Sequence, residues 1–124
     1  MRVLVFETSK DRAKLIEDLL VSYRYKVYIQ YNNSSALKHI QDVKPSLIIL
    51  NINNRSHIEL LEKLKKNTRL SRIPVILISN LHSRDIIEKL HQLPNVDYLV
   101  EPFKIKNFRH LVERWVNFKS IYVN

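Results

Sequence analysis

Pro45-Ser46-Leu47-Ile48-Ile49-Leu50-Asn51 is the stretch that decides the fold of this chain. Four consecutive aliphatic residues between turn-forming residues predict a short strand that is buried on both faces, as in a parallel sheet. A strand with one solvent-exposed face would instead alternate polar and apolar residues. The strand ends on the polar residue Asn51, and ligands of open parallel sheets gather at the carboxyl ends of the strands. Asn51 is therefore the first candidate for a functional residue.

Strand-like and helix-like segments alternate along the rest of the chain. Strands are predicted at residues 2–6, 26–31, 47–50, 75–78 and 96–100. Helical spacing of apolar residues fills the segments between them; in the first helix, Leu15 and Ile16 are expected on the buried face, and Thr8 or Ser9 can cap its start. Because right-handed strand–helix–strand connections produce parallel sheets covered by helices, this alternation predicts an α/β fold.

The composition is that of one globular domain, covering residues 1–124, with 45% apolar and 27% charged residues. Residues 119–124 continue past the expected end of the domain, so they could lead into an absent output domain. No apolar run approaches the roughly 20 residues of a membrane span, and the first residues do not resemble a signal peptide. We therefore expect a cytoplasmic protein. The sequence has no cysteine, which excludes disulfides and thiolate metal sites.

Glycine is absent from the sequence, and this absence has consequences for turns and for function. Turns with a positive φ angle must use other residues, and asparagine is the best substitute. We expect asparagine in the loops at Asn33, Asn53, Asn54, Asn67 and Asn95. Glycine-rich phosphate loops are excluded, and no motif joins a nucleophile to a base. The five histidines lack a paired spacing and are expected on the surface. We therefore expect neither an enzyme nor a bound metal or cofactor.

The order and spacing of several landmarks resembles the receiver domain of a two-component response regulator, over nearly the whole chain. The landmarks are Val3-Leu4-Val5, Pro45-Ser46-Leu47-Ile48-Ile49-Leu50, Ile73-Pro74-Val75-Ile76, Ser79, Asp97-Tyr98-Leu99-Val100 and Pro102-Phe103. Each is weak alone, and their common order makes the resemblance specific. It implies a flavodoxin-like three-layer α/β/α sandwich with a five-stranded parallel sheet in the order 2-1-3-4-5.

The resemblance also implies a phosphorylation pocket whose key residues are replaced in this chain. Asn51 occupies the position of the aspartate that accepts the phosphoryl group, and an amide has no carboxylate nucleophile for that reaction. Glu7 and Thr8 stand where the family has the acidic pair that binds Mg²⁺. Glu101 stands where the family has a lysine, and only the hydroxyl of Ser79 matches the family pattern. The sequence therefore predicts an atypical pseudo-receiver that lacks the phosphoacceptor and binds no Mg²⁺.

Two carboxylates, Glu7 and Glu101, are expected to lie close enough in this pocket to repel each other. We expect a basic side chain, from Arg12, Arg55 or Lys104, to balance them and to fix the pocket in one state. Such a domain would signal by its shape rather than by phosphorylation.

The expected function is that of a phosphorylation-independent receiver, acting in signal transduction or transcription regulation through protein contacts or dimerisation. The resemblance points to residues 83–90, Tyr98 and residues 104–115 as the dimer or partner face. Tyr98 stands at the family's switch aromatic, and it could equally be an ordinary half-buried ring. The candidate residues on this face are Arg84, Lys89, Lys104, Arg109 and Glu113.

The net charge of +9, from 21 basic and 12 acidic residues, allows a second function. A basic patch is predicted after the third helix, near the end of the sheet opposite Asn51. It consists of Lys65, Lys66, Arg69 and Arg72. Such a patch supplies affinity for nucleic acid or an acidic protein, although cations are also ordinary at helix C-termini. All predicted helices are needed to cover the sheet, so none is left to enter a DNA groove. The alternative function is a stand-alone basic module that binds nucleic acid or an acidic protein.

Overall fold

The computed structural model describes residues 1–52, 55–80, 88–90 and 92–122, except for the side chains of residues 55 and 117–122. Within these ranges, strands and helices alternate as the sequence predicts. The strands are β1 (Arg2–Phe6), β2 (Lys26–Gln30), β3 (Leu47–Asn51), β4 (Val75–Ser79) and β5 (Val96–Val100). The helices are α1 (Lys10–Ser22), α2 (Ala36–Val43), α3 (Arg55–Lys66) and α4 (Ile105–Tyr122). Of the helix predicted over residues 83–90, only the last three residues are described, so Arg84 lies outside the described residues.

All five strands form one parallel sheet in the order β2-β1-β3-β4-β5, which confirms the predicted topology. Every residue of β3 and β4 is buried, as expected for central strands that helices cover on both faces. β2 lies at one edge of the sheet, in agreement with its alternating sequence, and is only half-buried after its first residue. The aliphatic run at residues 47–50 thus lies in the middle strand of the sheet, β3.

The helices bury one apolar cluster on each face of the sheet. α2 and α3 cover one face, where Ile40 and Leu61 are almost fully buried. α1 and α4 cover the other face, where Leu20 and Phe108 are fully buried. Among the described residues, no helix is both long and apolar enough to cross a membrane.

The predicted buried face of α1 is partly wrong. Leu15 is 49% exposed, whereas Ala13 is buried together with Ile16 and Leu20. These three residues follow the i, i+3, i+7 spacing of one helical stripe, and Leu15 falls beside that stripe. Its size and hydrophobicity suggested burial, but the small Ala13 has the position that faces the sheet.

Four residues adopt positive φ angles although none is glycine. They are Arg24 (69°), Ser35 (55°), Lys44 (52°) and Asn95 (56°). The expectation that asparagine occupies such turns is therefore confirmed at Asn95 and wrong at the other three, while Asn53 and Asn54 lie outside the described residues. A left-handed residue other than glycine or asparagine costs about 1–2 kcal/mol. At Arg24 and Lys44, the short connections from helix to strand impose this conformation.

Candidate functional site at the carboxyl end of the sheet

Parallel strands bring the predicted pocket residues to one edge of the sheet. Glu7 follows β1, Asn51 ends β3, Ser79 ends β4 and Glu101 follows β5. Glu7, Asn51 and Ser79 are each at most 2% exposed, and the Glu101 N–H donates to the Ser79 carbonyl at 2.8 Å. The sheet therefore places polar and charged side chains in a buried position, where each requires a partner.

Asn51 lies between the two glutamates and donates to both. Its Nδ2 atom is 3.0 Å from Glu7 Oε1 and 3.0 Å from Glu101 Oε1. Since a primary amide has two N–H groups, both donors of Asn51 are used. Its Oδ1 atom is buried and has no hydrogen-bond donor among the described residues. The two carboxylates thus fix the orientation of the amide, with the nitrogen toward them.

Glu7 and Glu101 also contact groups other than Asn51 in the described part of the chain. The backbone N–H of Thr8 donates to Glu7 Oε2 at 3.0 Å. Arg12 Nε lies 3.3 Å from Glu101 Oε2. Arg12 is in the first turn of α1, which Ser9 caps by accepting the Arg12 backbone N–H at 3.3 Å. The predicted basic side chain is therefore Arg12.

The structure describes only one of the other two candidates for that role. Lys104 is exposed, and the side chain of Arg55 lies outside the described part of the chain. Thr8 contributes its backbone N–H to the network.

Burial is the main influence on the ionisation of Glu7, and it raises the pKa of this carboxyl above 4.5. The Glu101 charge raises this pKa as well, whereas Arg12, the Thr8 N–H and the Asn51 amide lower it. The ionised form of Glu7 is thus costly, and the donors around it limit the cost.

The pocket does not fit the Mg²⁺ ion that the resemblance implies. Magnesium needs oxygen ligands in near-octahedral geometry. Here the Asn51 amide nitrogen lies between the two carboxylates, in the position from which a cation would bridge them. The Arg12 guanidinium already contacts Glu101. In the described ranges, no group of three or more His, Cys, Asp or Glu side chains could hold a metal ion.

The residues predicted for the partner face are not all on one side of the molecule. Tyr98 packs against the cluster under α2 and α3. Arg109 lies over the Tyr23 ring of α1, 5.1 Å from its centroid, and pairs with Glu113 at 2.8 Å. Arg109 and Glu113 are therefore on the α1 side of α4, across the sheet from Tyr98. These contacts locate Arg109 and Glu113 beside α1, and the partner face as a whole stays a prediction.

A different residue of α4 lies beside the edge strand β5. Arg114 Nη1 is 3.5 Å from Asp97 Oδ2, and Trp115 Nε1 donates to the same oxygen at 2.8 Å. Lys89, also predicted for the face, pairs with Glu62 of α3 at 2.8 Å. The family resemblance indicates a range of the last helix rather than one side of it, which is why the prediction grouped these residues.

Lys65 is not part of an exposed basic patch, which corrects the prediction. The residue is only 9% exposed, and its Nζ donates to the carbonyls of Ser71 and Ile73 at 3.1 and 2.8 Å. Burial lowers the pKa of Lys65 to about 8. The remaining members of the patch, Lys66, Arg69 and Arg72, are exposed. Lys65 therefore braces the loop that follows α3.

His57 is a second buried ionisable residue that the sequence reasoning missed. It is 6% exposed, and burial lowers its pKa. His57 and Lys65 lie four residues before and after the fully buried Leu61, so helical spacing could have placed both on the buried stripe. His82 and His91 lie outside the described residues.

Comparison with known proteins agrees with the fold. Residues 3–113 match the family model described as the response regulator receiver domain. The chain therefore belongs to the response regulator receiver domain family.

Individual relatives are similar over most of this chain. It is 30% identical over 82% of its length to the circadian input-output histidine kinase CikA of Synechocystis sp., but spans only 14% of that protein. It is 25% identical to response regulator Rcp1 of Synechocystis sp., covering 90% of this chain and 83% of that one. The signal receiver domain of a putative Luxo repressor protein from Vibrio parahaemolyticus superposes with a TM-score of 0.85 at 24% identity, covering 97% and 92% of the two chains.

Proposed function

We propose that this chain is a phosphorylation-independent receiver domain, a pseudo-receiver, which signals through protein contacts. The observation that carries the proposal is the donation of both Asn51 amide N–H groups to the carboxylates of Glu7 and Glu101. The position at the end of β3 has no carboxylate to attack a phosphoryl donor. The network around it uses the groups that would otherwise receive Mg²⁺.

Charge supports the same proposal. A phosphoryl group arriving at this edge would meet the carboxylates of Glu7 and Glu101, with Arg12 as the cation in contact. Like charges in a buried site raise the free energy of the bound state strongly. The pocket is thus better suited to holding one conformation than to accepting an anion. Ser79 and Tyr98, which stand at the family's switch positions, would remain in that conformation.

For contacts with a protein or with a second copy, we propose the surface around the edge strand β5. Its members are Tyr98, Arg114 and the exposed Lys104. Strands at the edge of a sheet present unpaired backbone groups, which commonly become contact surfaces. The role of the whole protein in signal transduction or transcription regulation, its cytoplasmic location and an output domain beyond residue 124 stay predictions.

Light scattering on the protein with and without beryllofluoride and Mg²⁺ tests this proposal. We expect a dimer whose dissociation constant does not change when these reagents are added. Arg114→Glu should weaken the dimer about threefold to tenfold, whereas the matched change Arg109→Glu, on the α1 side of α4, should not. Dimerisation that requires beryllofluoride would overturn the proposal.

A second candidate function is a basic module that binds a polyanion. Its support is the set of exposed cations at the amino end of the sheet, far from Asn51. They are Arg2, Arg24, Lys26, Lys44, Lys66, Arg69 and Arg72. A monomer whose binding to acidic polymers falls steeply as salt is raised would favour this function over the first.

A further inference from the structure

A cleft lies at the amino end of the sheet, between the end of α2 and the loop that joins α3 to β4. Its volume is about 380 Å³, within the range of about 300–1,000 Å³ that is usual for ligand sites. Aliphatic side chains form its floor and two cations stand at its rim. We call it the basic cleft, and its defining residues are Ile40, Lys44, Pro45, Arg69, Leu70 and Ile73.

We propose that the basic cleft binds an acidic peptide segment of a partner protein. An aliphatic side chain of the peptide would lie on the floor, and flanking carboxylates would pair with Lys44 and Arg69. This inference rests on the second candidate function and gives it a location and a partner class.

The charges at the rim are available to a ligand. Lys44 and Arg69 are both exposed, and neither forms an ion pair with another described residue. None of the described residues that line the cleft is acidic. Two free cations over an apolar floor complement a segment that combines carboxylates with an aliphatic side chain.

The wall that carries Arg69 and Leu70 is held in place from within the protein. Asn67 Oδ1 accepts the backbone N–H groups of Arg69 and Leu70 at 2.9 and 3.1 Å. Lys65 Nζ, buried beneath the loop, donates to the Ser71 and Ile73 carbonyls. A loop that is ordered before binding loses less conformational entropy when the ligand arrives. The basic cleft is therefore a preformed site.

The opposite wall of the cleft contains Lys44, whose left-handed backbone conformation is energetically unfavourable for a lysine. Lys44 ends α2 with φ 52° and ψ 59°, where glycine or asparagine would be less strained. The same is true of Arg24 at the end of α1, which has φ 69° but does not line the cleft. These two residues provide a matched pair, because each combines a positive charge with a left-handed backbone at the same end of the sheet.

The floor of the cleft favours a peptide over nucleic acid. Single-stranded nucleic acid is usually bound by aromatic side chains on which its bases stack. The floor contains only aliphatic side chains, from Ile40, Pro45, Leu70 and Ile73. An aliphatic floor is instead suited to a leucine, isoleucine or valine side chain, whose burial is worth about tenfold or more in affinity.

Fluorescence anisotropy with labelled probes tests the inference. The probes are a peptide of aspartate and glutamate with a central pair of leucines, the same peptide with serines in place of the leucines, and a single-stranded oligonucleotide of mixed sequence. We expect the leucine peptide to bind about tenfold or more tightly than the serine peptide. Lys44→Asn should weaken leucine-peptide binding by about threefold to tenfold, and Arg24→Asn should change it less than twofold. Both variants should unfold at a higher temperature than the unmodified protein, which separates a loss of binding from a loss of folding.

Four results would overturn the inference. Equal effects of Lys44→Asn and Arg24→Asn, or equal binding of the two peptides, would mean that diffuse positive charge attracts the ligand, and the second candidate function would then survive without the cleft. Tighter binding of the oligonucleotide would assign this end of the sheet to nucleic acid. No binding of any probe would remove both the inference and the second candidate function, while the proposal for the Asn51 pocket would be unaffected.

Discussion

The two ends of the sheet treat their polar side chains in opposite ways. At the carboxyl end, Asn51 and Glu7 are buried, and the Asn51 amide donates a side-chain hydrogen bond to the Glu7 carboxylate. At the amino end, cations such as Lys44 and Arg69 are exposed, and polar side chains brace the backbone of loops instead. The same residue type therefore has a different role at each end: Asn51 donates to carboxylates, whereas Asn67 accepts backbone N–H groups. At the carboxyl end, the charged side chains bind groups within the protein. At the amino end, exposed cations are available to a ligand.

The largest expected difference in stability is between two asparagine-to-aspartate substitutions, one at each end of the sheet. Asn51→Asp removes both amide donors and adds a third carboxylate beside Glu7 and Glu101, so it should destabilise the fold by about 3 kcal/mol or more at neutral pH. Asn67→Asp keeps the acceptor oxygen that receives two backbone N–H groups, and it lies among cations. It should change stability by less than about 0.5 kcal/mol. Urea denaturation of both variants measures this contrast, and equal stabilities would contradict it.

A smaller effect is expected from the buried lysine at the amino end. The pKa of Lys65 is about 8 in the folded protein and 10.5 in the reference state. The folded state therefore releases this proton first, and stability rises as the pH increases from about 8 to 10.5. Relative to Lys65→Met, the unmodified protein should gain roughly 1–3 kcal/mol over that interval.

Denaturation curves at neutral and alkaline pH test this expectation. Lys66→Met, at the exposed neighbouring position, is the control and should show no such gain over the same interval. A pH-independent difference between Lys65→Met and the unmodified protein would show that the Lys65 ammonium is not held in an apolar environment.

The smallest expected effect on stability is that of replacing Arg12, the cation that contacts Glu101 at the carboxyl end of the sheet. Because Arg12 lowers the pKa of Glu7, Arg12→Met should raise that pKa further. The side chain of Arg12 is 43% exposed, so its contribution to stability should be only about 0.5–1 kcal/mol. This contribution is present at neutral pH and is lost as the pH falls through the raised pKa of Glu7 in the folded state.

Carboxyl ¹³C NMR of Glu7 measures this change directly. Lys14→Met, on the same helix but paired with the exposed Asp18, should leave the Glu7 pKa unchanged. If the Glu7 pKa does not change in Arg12→Met, the Arg12 charge does not act on the pocket.

Much of the fold could be predicted from the sequence because its signals are local. The aliphatic run that ends at Asn51 requires a strand buried on both faces, and the alternation of strands and helices then fixes a parallel sheet. The gathering of Glu7, Asn51 and Glu101 at one edge follows from parallel strands, with the family resemblance supplying their alignment. These features depend on the spacing of apolar residues and on the order of strands and helices, both of which can be read from the sequence.

The remaining features depend on three-dimensional packing, which the sequence does not carry. Lys65 was assigned to the surface by its charge, but the loop after α3 provides carbonyl oxygens that allow it to be buried. Arg109 was assigned to the partner face, but the Tyr23 ring places it against α1. Arg24 and Lys44 adopt positive φ angles because short connections require them, although side-chain preference would place asparagine there. At Lys65, Arg24 and Lys44, the tertiary structure overrides a local preference, and at Arg109 it adds a contact that the family resemblance does not specify.

Intact-mass spectrometry after incubation with acetyl phosphate and Mg²⁺ measures whether the Asn51 pocket is closed to phosphorylation. We predict an unchanged mass for the unmodified protein and also for Asn51→Asp, in which Glu101 still opposes an incoming phosphoryl group. A stoichiometric phosphoryl adduct on the unmodified protein would contradict the account.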